Sequence, residues 1–184
     1  MKTFIKSVFC FTGLLWLVMT LHGCDNDPLQ GGPYWGTASA NKNGVPWNGK
    51  IRGSEQNGML GITINKHSSQ GFLREDLFID RIPKTIGAYS IPKTDTTRVY
   101  DHVTSSYFTL EDDGDVILDV YFVDANDSTH FVEITSYNPN TEEFTGKFQV
   151  RFVRDDRRVK RHPSIPDTIR FTNGNFKTRI LQKL

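Results

Sequence analysis

Cysteine is nearly absent: only Cys10 and Cys24 occur, both close to the N-terminus. The body of the chain therefore lacks the residues for a disulfide framework, a thiolate metal site or a cysteine nucleophile. A dominant charge is missing too. Lys and Arg number 22 against 21 Asp and Glu, a formal net charge of +1, so no global field directs the protein to nucleic acid. Beyond residue 21 there is no long apolar run and no long helix-forming stretch. No Gly-x-Ser-x-Gly elbow, phosphate loop or His-Glu-x-x-His occurs, and an enzyme is not expected on those grounds. Two carboxylates at a working separation for glycoside hydrolysis could still meet across strands, which sequence alone does not place.

What is present begins at the N-terminus. Lys2 and Lys6 make a basic start, Val8 to Leu21 an apolar stretch, and Leu21-His22-Gly23-Cys24 follows. A basic end, a short apolar segment and small residues at a cleavage point define a secretory signal. The apolar run is shorter than the roughly 20 residues that a spanning helix needs. The four residues resemble the lipobox of bacterial lipoproteins, with His22 at a position usually small or hydroxylated. That resemblance implies a signal peptide over 1–23, cleavage before Cys24, and diacylglycerol and an acyl chain attached at Cys24. No other cofactor is expected. Several acyl chains, each buried methylene contributing about 0.8 kcal/mol, would hold the protein stably to a membrane. The expected location is the bacterial cell envelope, with the outer membrane in first place and its periplasmic or surface face left open. Removing Lys2 and Lys6 takes the formal charge from +1 to −1 and, with Cys24 modified, leaves no free thiol.

Residues 24–33 read as a lipidated flexible tether, since Asp25-Asn-Asp-Pro-Leu-Gln-Gly-Gly-Pro33 resists regular structure. Asp25 and Asp27 also resemble the acidic segments behind the cysteine of surface-exported lipoproteins of Bacteroidota. Residues 34–184 are long enough for one domain with a sizeable core.

That domain alternates with period two. Phe144, Phe148, Val150 and Phe152 share one face of a strand, with Thr145, Lys147, Gln149 and Arg151 on the other. Leu60, Ile62 and Ile64 repeat the pattern. In 116–123, Val116, Leu118, Val120 and Phe122 form the expected inner face, against Ile117, Asp119, Tyr121 and Val123. This strand and 103–110 flank Glu111-Asp-Asp-Gly-Asp115, a hairpin signal. Further strands are expected at 36–41, 47–53, 72–82, 86–92, 98–102, 131–137 and 168–180. In the last, Ile169 and Phe171 are out of phase with Phe176, so Asn173-Gly174 marks a bulge or a tight turn. The expected fold is all-β, a single antiparallel sandwich or barrel of about 8–10 strands.

Trp35-Gly-Thr-Ala-Ser-Ala-Asn41 with Asn43-Gly-Val-Pro-Trp47, Ile134-Thr-Ser-Tyr137 with Glu143-Phe-Thr-Gly-Lys-Phe148, and Ile169-Arg-Phe-Thr-Asn-Gly-Asn-Phe176 together resemble a group of small β lipoproteins of uncharacterised function, common in Bacteroidota. The resemblance implies an anchored all-β domain and carries over no catalytic residues. Gly32-Pro33-Tyr34-Trp35 also approaches the Gly-x-Trp of lipocalins, with one residue more between Gly and Trp, which keeps a calycin-like barrel as the alternative.

Candidate binding residues fall in two places. Tyr34, Trp35 and Trp47 could stack on sugar faces or pack the first hairpin. Arg157, Arg158, Lys160 and Arg161, in a mixed-charge run from Arg154 to His162, could meet lipid headgroups, an acidic glycan or a protein, or form a solvated loop. Glu111, Asp112, Asp113 and Asp115 could offer oxygens to calcium but lack the EF-hand order. His67, His102, His130 and His162 show no ligand spacing, and no metal site is expected. The expected function is a non-catalytic binding or assembly module on the envelope. A lipocalin-like carrier of a small apolar ligand is the alternative, and a glycan-active enzyme a third. A filled core, a hollow barrel, or a cleft with paired carboxylates would separate the three.

Overall fold

The structure is a computed structural model and describes residues 34–93 and 102–183. The signal segment, Cys24, the tether and most of the expected strand at 98–102 lie outside the described residues. Ten strands follow in order: β1 (Thr37–Lys42), β2 (Val45–Gln56), β3 (Met59–His67), β4 (Leu73–Pro83), β5 (Gly87–Ser90), β6 (Thr104–Leu110), β7 (Ile117–Val123), β8 (Phe131–Asn138), β9 (Glu143–Arg154) and β10 (Thr168–Lys183).

The all-β expectation holds, and the hydrogen bonding runs in a ring. β2, β3, β4, β6, β7, β9 and β10 pair in that sequence, and β10 returns to β2. The neighbours are antiparallel except at the closure, where Ile180–Lys183 runs parallel to Gly53–Glu55. β1 lies antiparallel to both β2 and β10 before they meet. β8 extends the sheet from the first part of β9, and β5 pairs with β8. Closure gives every strand of the ring a partner on both sides, while β5 remains an edge strand on β8.

Turn chemistry explains the register. β1–β2 turns on Asn43-Gly44 and β2–β3 on Asn57-Gly58, with both residues of each pair at positive φ (51° and 83°, 51° and 77°). These are the two-residue turns whose twist matches that of the flanking strands. In β10 the phase break is a bulge: its register against β9 shifts between Phe171 and Gly174, with Asn173 at φ 53°. One continuous strand thereby buries Ile169, Phe171 and Phe176 on the same face. A second irregularity, in β4, lets both Ile79 and Ile82 point inward.

Phe144, Phe148, Val150 and Phe152 are buried as their alternation predicts, as are Leu60, Ile62 and Ile64. The expected inner face of β7 is reversed. Asp119, Tyr121 and Val123 are almost wholly buried, and Leu118 and Phe122 only partly. Val120 is buried as expected, while the leading Val116 and Ile117 are both exposed. Both faces of this strand carry apolar residues, so alternation alone does not choose between them. The register chooses: Tyr121 lies opposite Tyr107 and Val123 opposite Phe152. Inside, the rings of Tyr107, Tyr121, Phe152, Phe171, Phe148 and Trp47 pack at centroid distances of 5.0–6.5 Å. Edge and tilted aromatic contacts of this kind add to area burial.

Candidate functional site

The outward face of β2, β3 and β4 carries a polar cluster that only strand pairing assembles. Lys50 lies opposite Asn65, and Asn65 opposite Asp76. Asn65 donates its side-chain N–H to Asp76 Oδ1 at 2.7 Å. Burial pushes the Asp76 carboxyl up to about 7, against the pull of Arg52 and of the Asn65 hydrogen bond. Tyr34, just ahead of β1, joins from the side. Its hydroxyl is 3.5 Å from His67 Nε2, its ring meets the imidazole edge-on at 5.7 Å, and Lys50 Nζ stands 5.5 Å from its centroid. Burial raises the Tyr34 phenol above its ordinary range. Burial, and then the Lys50 charge, lower the His67 imidazole.

Beside this cluster lies an open cleft of about 410 Å³. Asn48, Lys50, Asn65, Lys66, His67 and Ser68 contribute to its walls. Its rim is the turn after β3, which Ser68 shapes by accepting the N–H groups of Gln70 and Phe72. The arrangement brings hydrogen-bond donors and positive charge to one concave place, while the nearby carboxyl of Asp76 is held by Asn65. Of these residues the sequence argument singled out only Tyr34, and His67 as one of several scattered histidines. The missed signal is the set of polar positions on the wet faces of β2 and β3, which is what any half-buried strand shows until the register is known.

A second polar group sits inside one end of the ring. Lys42 Nζ is 2.8 Å from Glu75 Oε2 and donates to the Tyr107 hydroxyl at 2.8 Å. The Trp47 indole donates to the same Glu75 oxygen. Burial and the Glu75 charge raise the Tyr107 phenol far above its usual range. The β9–β10 connection lies at this end: Tyr121 donates to Pro166 O at 2.9 Å, and Ile165 packs on the core. Beneath it Asp119 is 1 % exposed, neither carboxylate oxygen has a hydrogen-bond partner, and Arg154 Nη1 stands 3.9 Å away.

The structure separates the aromatic candidates. Trp47 is 4 % exposed and meets Phe171 edge-on, so its ring presents no face to solvent. Trp35 is half-buried beside β10, with Lys177 and Arg179 at 5.6 and 5.2 Å from its ring. Of the three, Tyr34 contacts residues that line the cleft, His67 and Lys50. In the basic run, Arg157 pairs with Asp155, Lys160 with Asp167, and Arg161 with Glu111. Arg158 is exposed, and its carbonyl accepts from Arg154. Asp112 pairs with Arg74, and Asp113 accepts the N–H of Asp115 within the hairpin turn. No cluster of three or more metal-type ligands occurs among the described residues. Compared with known proteins, the chain matches no protein-family model, no curated protein and no solved structure.

Proposed function

We propose that the protein is a lipid-anchored envelope lipoprotein whose β domain serves as a non-catalytic binding or assembly module. The observation that carries this reading is Leu21-His22-Gly23-Cys24 placed directly behind a basic start and a short apolar stretch. The ring of strands is in keeping with it. Tyr34, the first described residue, follows Cys24 by ten positions, so a lipid at Cys24 would lie no more than about 36 Å along the chain from the domain. The interior supports a module of this kind over a hollow carrier, because the rings of Tyr107, Tyr121, Phe152 and Phe171 occupy the space that an apolar ligand would need. Partners would then be met on the outside of the ring.

Phase partition tests the reading. Expressed in a bacterium with lipoprotein processing, the wild type is expected in the detergent-rich phase and Cys24→Ser in the aqueous phase. Equal partition of both would contradict it.

A further inference from the structure

We propose that the cleft formed by Asn48, Lys50, Asn65, Lys66 and His67 is a binding site for an oxyanion of the phosphate type. Lys50, Lys66 and His67 contribute to its lining, none of the lining residues is acidic, and Glu75 of β4 stands opposite Lys66. The acid beside it, Asp76, is paired to Asn65 and protonates far more readily than an ordinary carboxyl. A group with several acceptor oxygens fits a wall of this composition, because charge-assisted hydrogen bonds to oxyanions are the strong ones.

His67 gives the site its second argument. Tyr34 contacts the ring at Nε2 (3.5 Å), and Nδ1 is buried without a hydrogen-bond partner of normal geometry. An anion in the cleft would therefore act on the imidazole through its charge rather than by a bond to Nδ1. Burial and Lys50 hold the ring toward its neutral form. A bound anion would offset the Lys50 charge and favour the imidazolium, so occupancy and protonation of His67 are linked. Lys50, Tyr34 and the Asn65 backbone act on this ring directly, and Arg52 and Asp76 act on Tyr34 beside it.

The site is read from residues 48–71 and stands whether or not Cys24 carries lipid. A lipid headgroup and a free phosphate ester offer the same chemistry, and vesicle binding separates the two sources.

Two-dimensional NMR of the full chain, titrated with inorganic phosphate, tests the chemistry. Saturable shifts are expected at residues 48–50 and 65–71, with the His67 ring signals moving toward the charged form at constant pH. Lys50→Gln combined with Lys66→Gln is expected to weaken binding at least tenfold with an unchanged melting temperature. A parallel arm uses vesicles of phosphatidylcholine with and without phosphatidylglycerol. Vesicle binding that needs the anionic lipid and is lost in the double variant assigns the headgroup. Phosphate binding without vesicle binding assigns a soluble ester. Shifts spread evenly over the surface lysines, or a double variant that binds like wild type, would overturn the proposal.

Discussion

The indole N–H of Trp47 donates to Glu75 Oε2 at 2.8 Å, and Lys42 reaches the same oxygen at 2.8 Å. One carboxylate thus ties β1, β2 and β4 together at an end of the ring where Tyr107 completes the network. Trp47 has two structural tasks, packing on Phe171 and satisfying a half-buried acid. Trp47→Ala is expected to cost about 3–5 kcal/mol. Trp47→Phe keeps the ring and loses the hydrogen bond, at a cost of about 1–3 kcal/mol. Urea unfolding reads both. An unchanged melting temperature together with lost glycan binding would return Trp47 to a stacking role.

Asp76 gives stability a pH slope. Its folded-state pKa, about 7, is above the unfolded value of roughly 3.9. The folded chain therefore holds a proton that the unfolded chain has lost between those values. The contribution is complete below the unfolded pKa and disappears as pH rises through 7. Asp76→Asn can still accept from Asn65 and has no such slope. The variant is expected to gain on wild type by more than about 1.4 kcal/mol between pH 5 and pH 8, the worth of one pKa unit. The lowered His67 imidazole gives an opposite slope at acid pH in both proteins, so the difference between them isolates Asp76. A constant difference would contradict the assignment.

Much of this architecture is legible in the sequence, for identifiable reasons. Phe144 to Phe152 alternates without ambiguity, and Asn43-Gly44 and Asp113-Gly114 are turn signals that need no tertiary information. Asn57-Gly58 was equally readable and marks the β2–β3 turn. The facing of β7 was not readable, because Val120 and Tyr121 are both credible core residues and only the opposition of Tyr107 to Tyr121 decides. The parallel closure of β10 on β2 is likewise a property of the whole ring. The cleft was hidden for a related reason: Lys50 and His67 are separated in sequence, and each alone is an ordinary surface residue of a strand. Cys24 stands apart, since the lipidation proposed for it rests on local sequence alone.

Asp119 and Arg154 form a loosely held pair in the interior. Arg154 stands 3.9 Å from an Asp119 carboxylate that has no hydrogen bond, and also donates to the carbonyls of Asp155 and Arg158. Removing one partner of a buried pair leaves an uncompensated charge, so Arg154→Met is expected to cost about 3–5 kcal/mol. Adding Asp119→Asn should recover at least about 1 kcal/mol, a coupling that a double-mutant cycle measures. Strict additivity would show that the two side chains do not interact.

His130 is 5 % exposed and bridges β9 to the segment before β8. The Arg151 N–H donates to its Nδ1 at 3.2 Å, and its Nε2 lies 2.9 Å from Asp124 O. That pattern places the proton on Nε2. His130→Phe leaves the Arg151 N–H unpaired and Asp124 O with only the long bond from the Asp127 N–H (3.4 Å), and is expected to cost about 1–2 kcal/mol. Nitrogen-15 NMR of the imidazole should find Nδ1 bare; a proton on Nδ1 would contradict the bonding scheme.

The central claim is the covalent fate of Cys24, and metabolic labelling reaches it most directly. Cells expressing the protein are fed radiolabelled palmitate, and the immunoprecipitated chain is compared with its Cys24→Ala variant. Label in the wild type and none in the variant is the predicted result. Equal labelling of both, or of neither, would contradict the account.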